Sequence, residues 1–351
     1  MKDFTVQPNI TVRQAMKRLS KSGEKCLVIV DKKNILLGTL SDGDIRKAIL
    51  NGSNMSDPIH NVYQSSPTVL IDGEYEIEQV KKLFTNNRFD IIPVVDEIGE
   101  LIDILFWGEI LNNGEKIQKE KLNVPVVVMA GGKGTRMEPF TNVLPKPLIP
   151  IHDKPIIEHI IERFTDIGCL DFHLTVNYKG KILKAYFEEL QPEYDVAFVD
   201  EKEPLGTAGS LQYLNGKFDK PFFVTNCDII IKTDYASLYE FHQKNNYDIT
   251  LVASAKEYII PYGTCELNDE GHLSHINEKP KYDFLINTGL YVLNPDVLTF
   301  IPKDKFYHIT HLIKDAKNQG KKVGIFPIDE DAWIDVGQWA EYQKVVELFS
   351  H

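Results

Sequence analysis

Residues 129–148 read MAGGKGTRMEPFTNVLPKPL, directly behind the apolar run 124–129, VPVVVM. That junction decides how the second part of the chain is read. A short buried strand opening into a glycine loop, with an amphipathic helix further on, begins an α/β unit. Gly131, Gly132 and Gly134 lack a Cβ, so the loop can turn sharply and aim successive N–H groups at a polyphosphate. The spacing fits neither G-x-x-x-x-G-K-[ST] nor the dinucleotide fingerprint, whose third glycine would stand at Met137. Arg136 adds a planar fork for phosphate oxygens. Lys146 stands between Pro145 and Pro147, whose rings fix the local backbone, so its cation suits charge that builds on a phosphorus during transfer.

Outward from the loop, strands and helices alternate. The stretch PIIEHIIERFTDIG places Ile156, Ile157, Ile160, Ile161 and Phe164 on one helical face, with Pro155 at its start. FHLTVN, YDVAFVD, PFFVTNCD, ITLVAS and INTGLYVLN read as later strands. The pattern predicts a doubly wound, Rossmann-like mixed sheet with helices on both faces. Ligands are then expected just behind the carboxyl ends of the strands.

The first 120 residues repeat when slid against themselves by 65 positions. Val12 meets Ile77, Ala15 meets Val80, Leu19 meets Phe84, Asp31 meets Asp96, Leu40 meets Leu105 and Asp44 meets Glu109, all without a gap. Each copy reads as helix, strand, turn, strand and closing helix. The polar stretch 112–123 has the composition of a connector. The expected organisation is a module at 1–120, with copies at about 1–58 and 59–120, followed by a catalytic domain at 121–351.

The stretch VIVDKKNILLGTLSDGDIRKAIL resembles the cystathionine-β-synthase-type (CBS) domain, so the first 120 residues are similar to a tandem CBS pair. The resemblance implies that Ser41 and Asp44 take the ribose of an adenine nucleotide. The same two residues also fit a helix N-cap with an acid three positions later, which needs no ligand. The second copy departs from the pattern, with Phe106 and Glu109 at the two positions. Such pairs imply regulation or association, and a homo-oligomer is expected.

The string G-G-x-G-T-R-x-x-P-x-T followed by P-K-P resembles the sugar-1-phosphate nucleotidyltransferases, a likeness that runs from about residue 124 to 350. It implies a glycosyltransferase-A-like fold, with Ala130, Gly131, Gly132, Gly134 and Thr135 on the nucleotide and Arg136 and Lys146 as catalytic cations. Gly206, Thr207 and Ala208, in the L-G-T-A-G turn, would contact the nucleobase. Asp228 and Asp335 would hold magnesium. Tyr262, Gly263, Glu278, Lys279 and Asn287 would bind the sugar phosphate. Cys227 replaces the family's usual glycine, and Gln338-Trp339 its usual proline. The L-G-T-A-G turn with P-K-P looks most like guanylyltransferases. A CBS pair in front resembles enzymes that make a GDP-linked amino sugar for nonulosonic acids such as legionaminic acid, with glucosamine 1-phosphate as acceptor. The expected partners are therefore GTP and a sugar 1-phosphate. The rivals are the same reaction with UTP, dTTP or CTP, and a non-catalytic nucleotide sensor. Retention of Arg136, Lys146, Asp228 and Asp335 together speaks against the sensor.

Bulk properties agree. The net charge of −12 over 351 residues argues against a nucleic-acid partner, which requires clustered Lys and Arg. No apolar run is long enough to cross a bilayer, and the first residues carry no signal-peptide core, so a cytoplasmic location is expected. The four cysteines form no C-x-x-C pair.

Overall fold

The computed structural model describes residues 4–87, 89–107, 110 and 121–348. These form two compact units. One comprises residues 1–117, 254–286 and 329–331, and the other 118–253, 287–328 and 332–351. The ribbon at 254–286 therefore groups with the repeats, although the sequence is read as one domain from 121 onward.

In the first unit, copy one runs β1 (Thr5–Val6), α1 (Val12–Ser22), β2 (Cys26–Val30), β3 (Leu36–Ser41) and α2 (Asp42–Leu50). Copy two runs β4 (Leu70–Ile71), α3 (Ile77–Asn87), β5 (Ile91–Val95) and β6 (Leu101–Phe106). Each of these four described elements of copy two begins and ends 65 residues after its counterpart, the same offset that aligns the sequence. Even the irregularities agree, with register shifts between Ile29 and Val30 and between Val94 and Val95. Helix α1 starts at a capping box. Gln14 N–H donates to Thr11 Oγ1 at 3.2 Å, and Thr11 N–H donates to Gln14 Oε1 at 2.9 Å. Val12, Ala15, Met16 and Leu19 form its buried face. The copies join reciprocally: Leu36 N–H donates to Gly99 O and Leu101 N–H to Asn34 O, both at 2.9 Å. Cys26, Val28 and Val30 of one copy share a core with Ile91, Leu101 and Ile104 of the other. Glu109 and most of the connector lie outside the described residues.

Further along the chain come β7 (Val126–Met129), β8 (Pro150–Ile151), β9 (Lys154–Pro155), α4 (Ile156–Thr165), β10 (Asp171–Val176), α5 (Gly180–Leu190) and β11 (Asp195–Asp200). Then follow β12 (Phe222–Asn226), β13 (Ile229–Ile231), α6 (Tyr235–Lys244), β14 (Ile249–Ile259), β15 (Thr264–Leu267), β16 (Leu273–Asn277) and β17 (Lys281–Leu293). The chain closes with α7 (Ile309–Asn318), β18 (Val323–Asp329), β19 (Trp333–Asp335) and α8 (Trp339–Leu348). Seven strands form one mixed sheet in the order β11-β10-β7-β12-β17-β14-β18. The strands from β11 to β12 are parallel, and β17 is antiparallel to β12. Residues along β7 alternate between two cores, Val126 and Val128 in one, Val127 and Met129 in the other. Both faces are thus covered, which is why this strand is apolar at every position.

Strands β14 and β17 are longer than their apolar runs. Their outer ends form, with the hairpin β15–β16, an exposed ribbon on which Ile259, Leu267, Leu273 and Ile276 are more than half exposed. Burial pushes the thiols of Cys26, Cys169 and Cys227 up to about 12, 11 and 12. Cys265, on β15, is exposed. Among the described residues, no helix is long and apolar enough to cross a membrane.

Candidate active site

The glycine loop leaves the carboxyl end of β7, where Ala130 N–H donates to Thr175 O at 3.0 Å. Gly134 has φ +68°, a left-handed conformation that favours glycine. A Cβ there would also meet Thr141 Cγ2 at 2.8 Å and Lys146 Cβ at 3.1 Å. The turn of the loop therefore packs directly on the lysine ten or more residues further along. Gly132 faces open space, with nothing within 4 Å of a built Cβ. Thr135 and Arg136 lie on a short 3₁₀ turn pinned by the fully buried Met137. Arg136 is exposed and has no carboxylate partner among the described residues. An unpaired guanidinium beside an open glycine is available to anionic oxygens.

Lys146 opens a one-turn 3₁₀ helix behind Pro145 and is only 7% exposed. Its ammonium is ion-paired with Asp228, which is equally buried. Asp228 follows β12. Its carbonyl accepts from Val336 N–H at 2.9 Å, and Ile229 pairs with Asp335 across β13 and β19. The two aspartates, 107 positions apart in sequence, are thereby brought to adjacent rungs of one ladder. Gly337 sits between them. A Cβ there would lie 2.9 Å from Asp335 Oδ1, 2.8 Å from Lys146 Nζ and closer still to Asp228 Oδ2. Two carboxylates and an ammonium therefore surround one point that is kept clear by the lack of a side chain.

Among the described residues, no group of three or more His, Cys, Asp or Glu side chains could hold a metal. Two carboxylates at a cleared point do fit a hard divalent ion that takes most of its oxygens from water and substrate phosphates.

The L-G-T-A-G turn is tied to residues 305–309. Tyr307 N–H donates to Leu205 O at 2.8 Å, and Ala208 and Gly209 N–H both donate to Tyr307 O at 3.0 Å. Gly206 has φ +80°, and a Cβ there would meet Tyr307 O at 2.8 Å. Thr207 Oγ1 accepts from Ile309 N–H at 3.1 Å. A 3₁₀ helix over Gly209–Leu214 follows.

Two residues that the motif reading passed over belong to the site. Gly337 is one. Glu201 is the other: it is 8% exposed, follows β11 at its carboxyl end, and accepts from Leu205 N–H at 3.3 Å. Its Oε1 lies 2.9 Å from where a Cβ on Gly131 would stand. It thus lies between the glycine loop and the L-G-T-A-G turn. Burial raises its pKa above 4.5, opposed by the Leu205 hydrogen bond. The signal in sequence was a charge directly behind an apolar strand, but it was masked by the neighbouring acids Asp200 and Glu203.

The sugar-phosphate candidates divide between the units. Asn287 Nδ2 donates to Tyr291 Oη at 2.8 Å, and its Oδ1 accepts from Gly289 N–H at 3.2 Å. Within the ribbon, Tyr262 is 75% exposed, and Glu278 Oε2 stands 3.1 Å from a Cβ built on Gly263. Lys279 has φ +46°. Tyr262, Gly263, Glu278 and Lys279 thus flank the two ends of one hairpin, β15–β16, and face solvent.

In the first repeat, Ser41 N–H and Oγ both donate to Asp44 Oδ2, at 2.9 and 2.6 Å, and Asp44 N–H donates to Ser41 Oγ at 3.1 Å. These bonds form the capping box of α2. Ser41 pairs with Cys26 at the start of β2. At the other end of that strand, by Val30, lies an open cavity of about 670 Å³ lined also by Gln7, Gln14, Lys17, Arg18 and Lys21.

Residues 125–350 match the family described as Nucleotidyl transferase, and residues 1–51 match the CBS domain. The chain is 36% identical over 224 residues to the mannose-1-phosphate guanyltransferase of Yarrowia lipolytica, covering 60% of each protein. It therefore spans less than two thirds of that relative's length. Two solved structures of HddC from Yersinia pseudotuberculosis, one of them complexed with GMP-PN, superpose on 65% of this chain and on their whole length. Their TM-scores are 0.51 and 0.50, at 27% and 26% identity. With the family match extending over more than half of its residues, and the glycine loop, cation and paired aspartates arranged as described, the chain belongs to the nucleotidyl transferase family.

Proposed function

We propose that the chain transfers GMP from GTP to a hexose-type 1-phosphate, giving a GDP-sugar and pyrophosphate. The observation that carries the transfer chemistry is the convergence of Lys146, Asp228 and Asp335 on the empty point at Gly337. Guanine is favoured by Glu201. A carboxylate only accepts hydrogen bonds, and guanine offers an adjacent N–H and amino group, whereas uracil and thymine offer a single N–H between two carbonyls. The named activity of the curated relative points the same way.

In this reading a phosphate oxygen of the sugar attacks the α-phosphorus in line. A new P–O bond forms as the bond to the β-phosphate oxygen breaks, and pyrophosphate leaves with the electron pair. The attacking oxygen is already ionised at neutral pH, so no general base is required. Gly132 N–H and Arg136 hold the leaving phosphates, and Lys146 neutralises charge around the α-phosphorus. A divalent ion held by Asp228 and Asp335, magnesium by the resemblance, would supply further charge neutralisation between the substrates. Glucosamine 1-phosphate is the acceptor favoured by the domain order, and mannose 1-phosphate is the second reading, favoured by the relative. Cytoplasmic location, a homo-oligomer and an adenine nucleotide at Ser41 and Asp44 belong to the same proposal.

The test is pyrophosphate release across GTP, UTP, dTTP and CTP against mannose, glucose and glucosamine 1-phosphates, with and without AMP, ADP or ATP. Turnover with GTP and a hexose 1-phosphate is expected. Turnover only with another triphosphate overturns the guanine assignment, and none with any pair overturns the enzyme assignment.

A further inference from the structure

We propose that Arg13, on the first repeat, is a positioning residue for the ribbon that receives the sugar 1-phosphate, an inference that rests on the sugar-binding reading of Tyr262, Gly263, Glu278 and Lys279. Helix α1 buries Val12, Ala15, Met16 and Leu19, and Ala255 of β14 is packed into the same core. Arg13 projects from the first turn, next to the capping box that fixes its backbone. Its Nη1 donates to Ala255 O at 3.0 Å, its Nε stands 3.6 Å from Glu257 Oε1, and its Nη2 is ion-paired with Asp283. Lys281 Nζ completes the network, 2.9 Å from Glu257 Oε2.

The three acceptors lie on both strands of the ribbon stem, Ala255 and Glu257 on β14 and Asp283 on β17. A single planar guanidinium therefore bridges the two strands, adding a side-chain tie to their backbone ladder. Five residues beyond Glu257 the chain reaches Tyr262, and Asp283 follows Lys279 by four. The side chain of Arg13 is 19% exposed, while Tyr262, just before the hairpin β15–β16, is 75% exposed. Arg13 thus ties the stem from which the exposed sugar-contacting residues extend.

The second repeat shows that this is no general property of the fold. With identical element lengths, it carries Glu78 at the position of Arg13, and that acid pairs with Lys81 on its own helix at 2.8 Å. A carboxylate there would repel Glu257 and Asp283. The repeat's scaffold thus accepts either charge, and only copy one has the charge the ribbon needs.

The experiment compares full-length Arg13→Ala, Arg13→Lys, Asp283→Asn and Glu278→Ala in steady-state kinetics, varying GTP and sugar 1-phosphate separately. Arg13→Ala is expected to raise KM for the sugar 1-phosphate about fivefold or more, the usual lower size of coupling between sites, with KM for GTP within about twofold. Arg13→Lys should recover part of the loss, and Asp283→Asn should reproduce it. Should Arg13→Ala fail to fold, Asp283→Asn carries the test alone. An unchanged sugar KM in Arg13→Ala and Asp283→Asn while Glu278→Ala raises it overturns the proposal, as does an equal rise in both KM values. An unchanged sugar KM in Glu278→Ala removes the sugar-binding reading itself, and the proposal with it.

Discussion

Lys146 and Tyr262 are both marked by sequence motifs, yet one is 7% exposed and ion-paired and the other is 75% exposed at a hairpin end. Of the groups assigned to phosphoryl transfer, Lys146 and Asp228 are buried and ion-paired, and the β13–β19 ladder sets Asp228 beside Asp335, as catalysis by positioning and electrostatics requires. Those assigned to the acceptor sugar, Asn287 apart, sit on a ribbon that is held at its stem. Substitutions in the first region should therefore act on turnover and those in the second on acceptor affinity.

Lys146→Ala tests this division most severely. It should lower kcat by roughly 10²-fold or more, the scale of one lost transition-state stabiliser. Near-native kcat would remove the lysine from the chemistry. Next in size is Gly337→Ala, whose methyl group would stand among Asp228, Asp335 and Lys146. A loss of about 10²-fold is expected, comparable to a misplacement of about 1 Å in a catalytic group. Full activity would mean that the three side chains are not held around that point.

Glu201→Gln has a smaller effect with two readouts. Discrimination of GTP from other triphosphates should weaken in the kinetic panel. Thermal melting should show a gain that depends on pH. The folded-state pKa of Glu201 is raised above 4.5, so the folded state holds its proton more tightly than the unfolded chain. The resulting stability is full below pH 4.5 and is lost as pH rises through the raised value. The glutamine variant cannot ionise, so it should melt above the native protein at neutral pH, with the advantage gone below pH 4.5. A melting difference independent of pH would contradict this. The smallest effect on turnover belongs to Asp44→Ala, far from both regions in sequence. It should abolish any adenine-nucleotide shift in melting temperature and leave basal kcat unchanged, and a retained shift would place the ligand elsewhere.

The offset of the repeat was legible because a gapless duplication preserves hydrophobic positions, and each described boundary in copy two falls 65 residues after its counterpart. The inner halves of β14 and β17 were legible as ITLVAS and INTGLYVLN. Their outer halves were not, because a solvent-facing ribbon has no buried face to impose alternation. Strand β18 also escaped the reading. Glycine loop, cation and aspartates were recognised as a string, but the meeting of Asp228 and Asp335 depends on the β13–β19 ladder, which sequence spacing does not reveal. Gly337 and Glu201 matter by what surrounds them. One is defined by atoms it lacks, and the other by burial that its acidic neighbours conceal.

The cysteine distribution gives the native chain a practical use. Three thiols are buried with pKa values driven to about 11 or 12, and the fourth, Cys265, is exposed on β15, three residues from Tyr262. A thiol reagent near neutral pH should therefore label one position without any cysteine being removed first. A fluorophore or spin label there would report on the free end of the ribbon, in real time and apart from turnover, while acceptor is added or Arg13 is replaced.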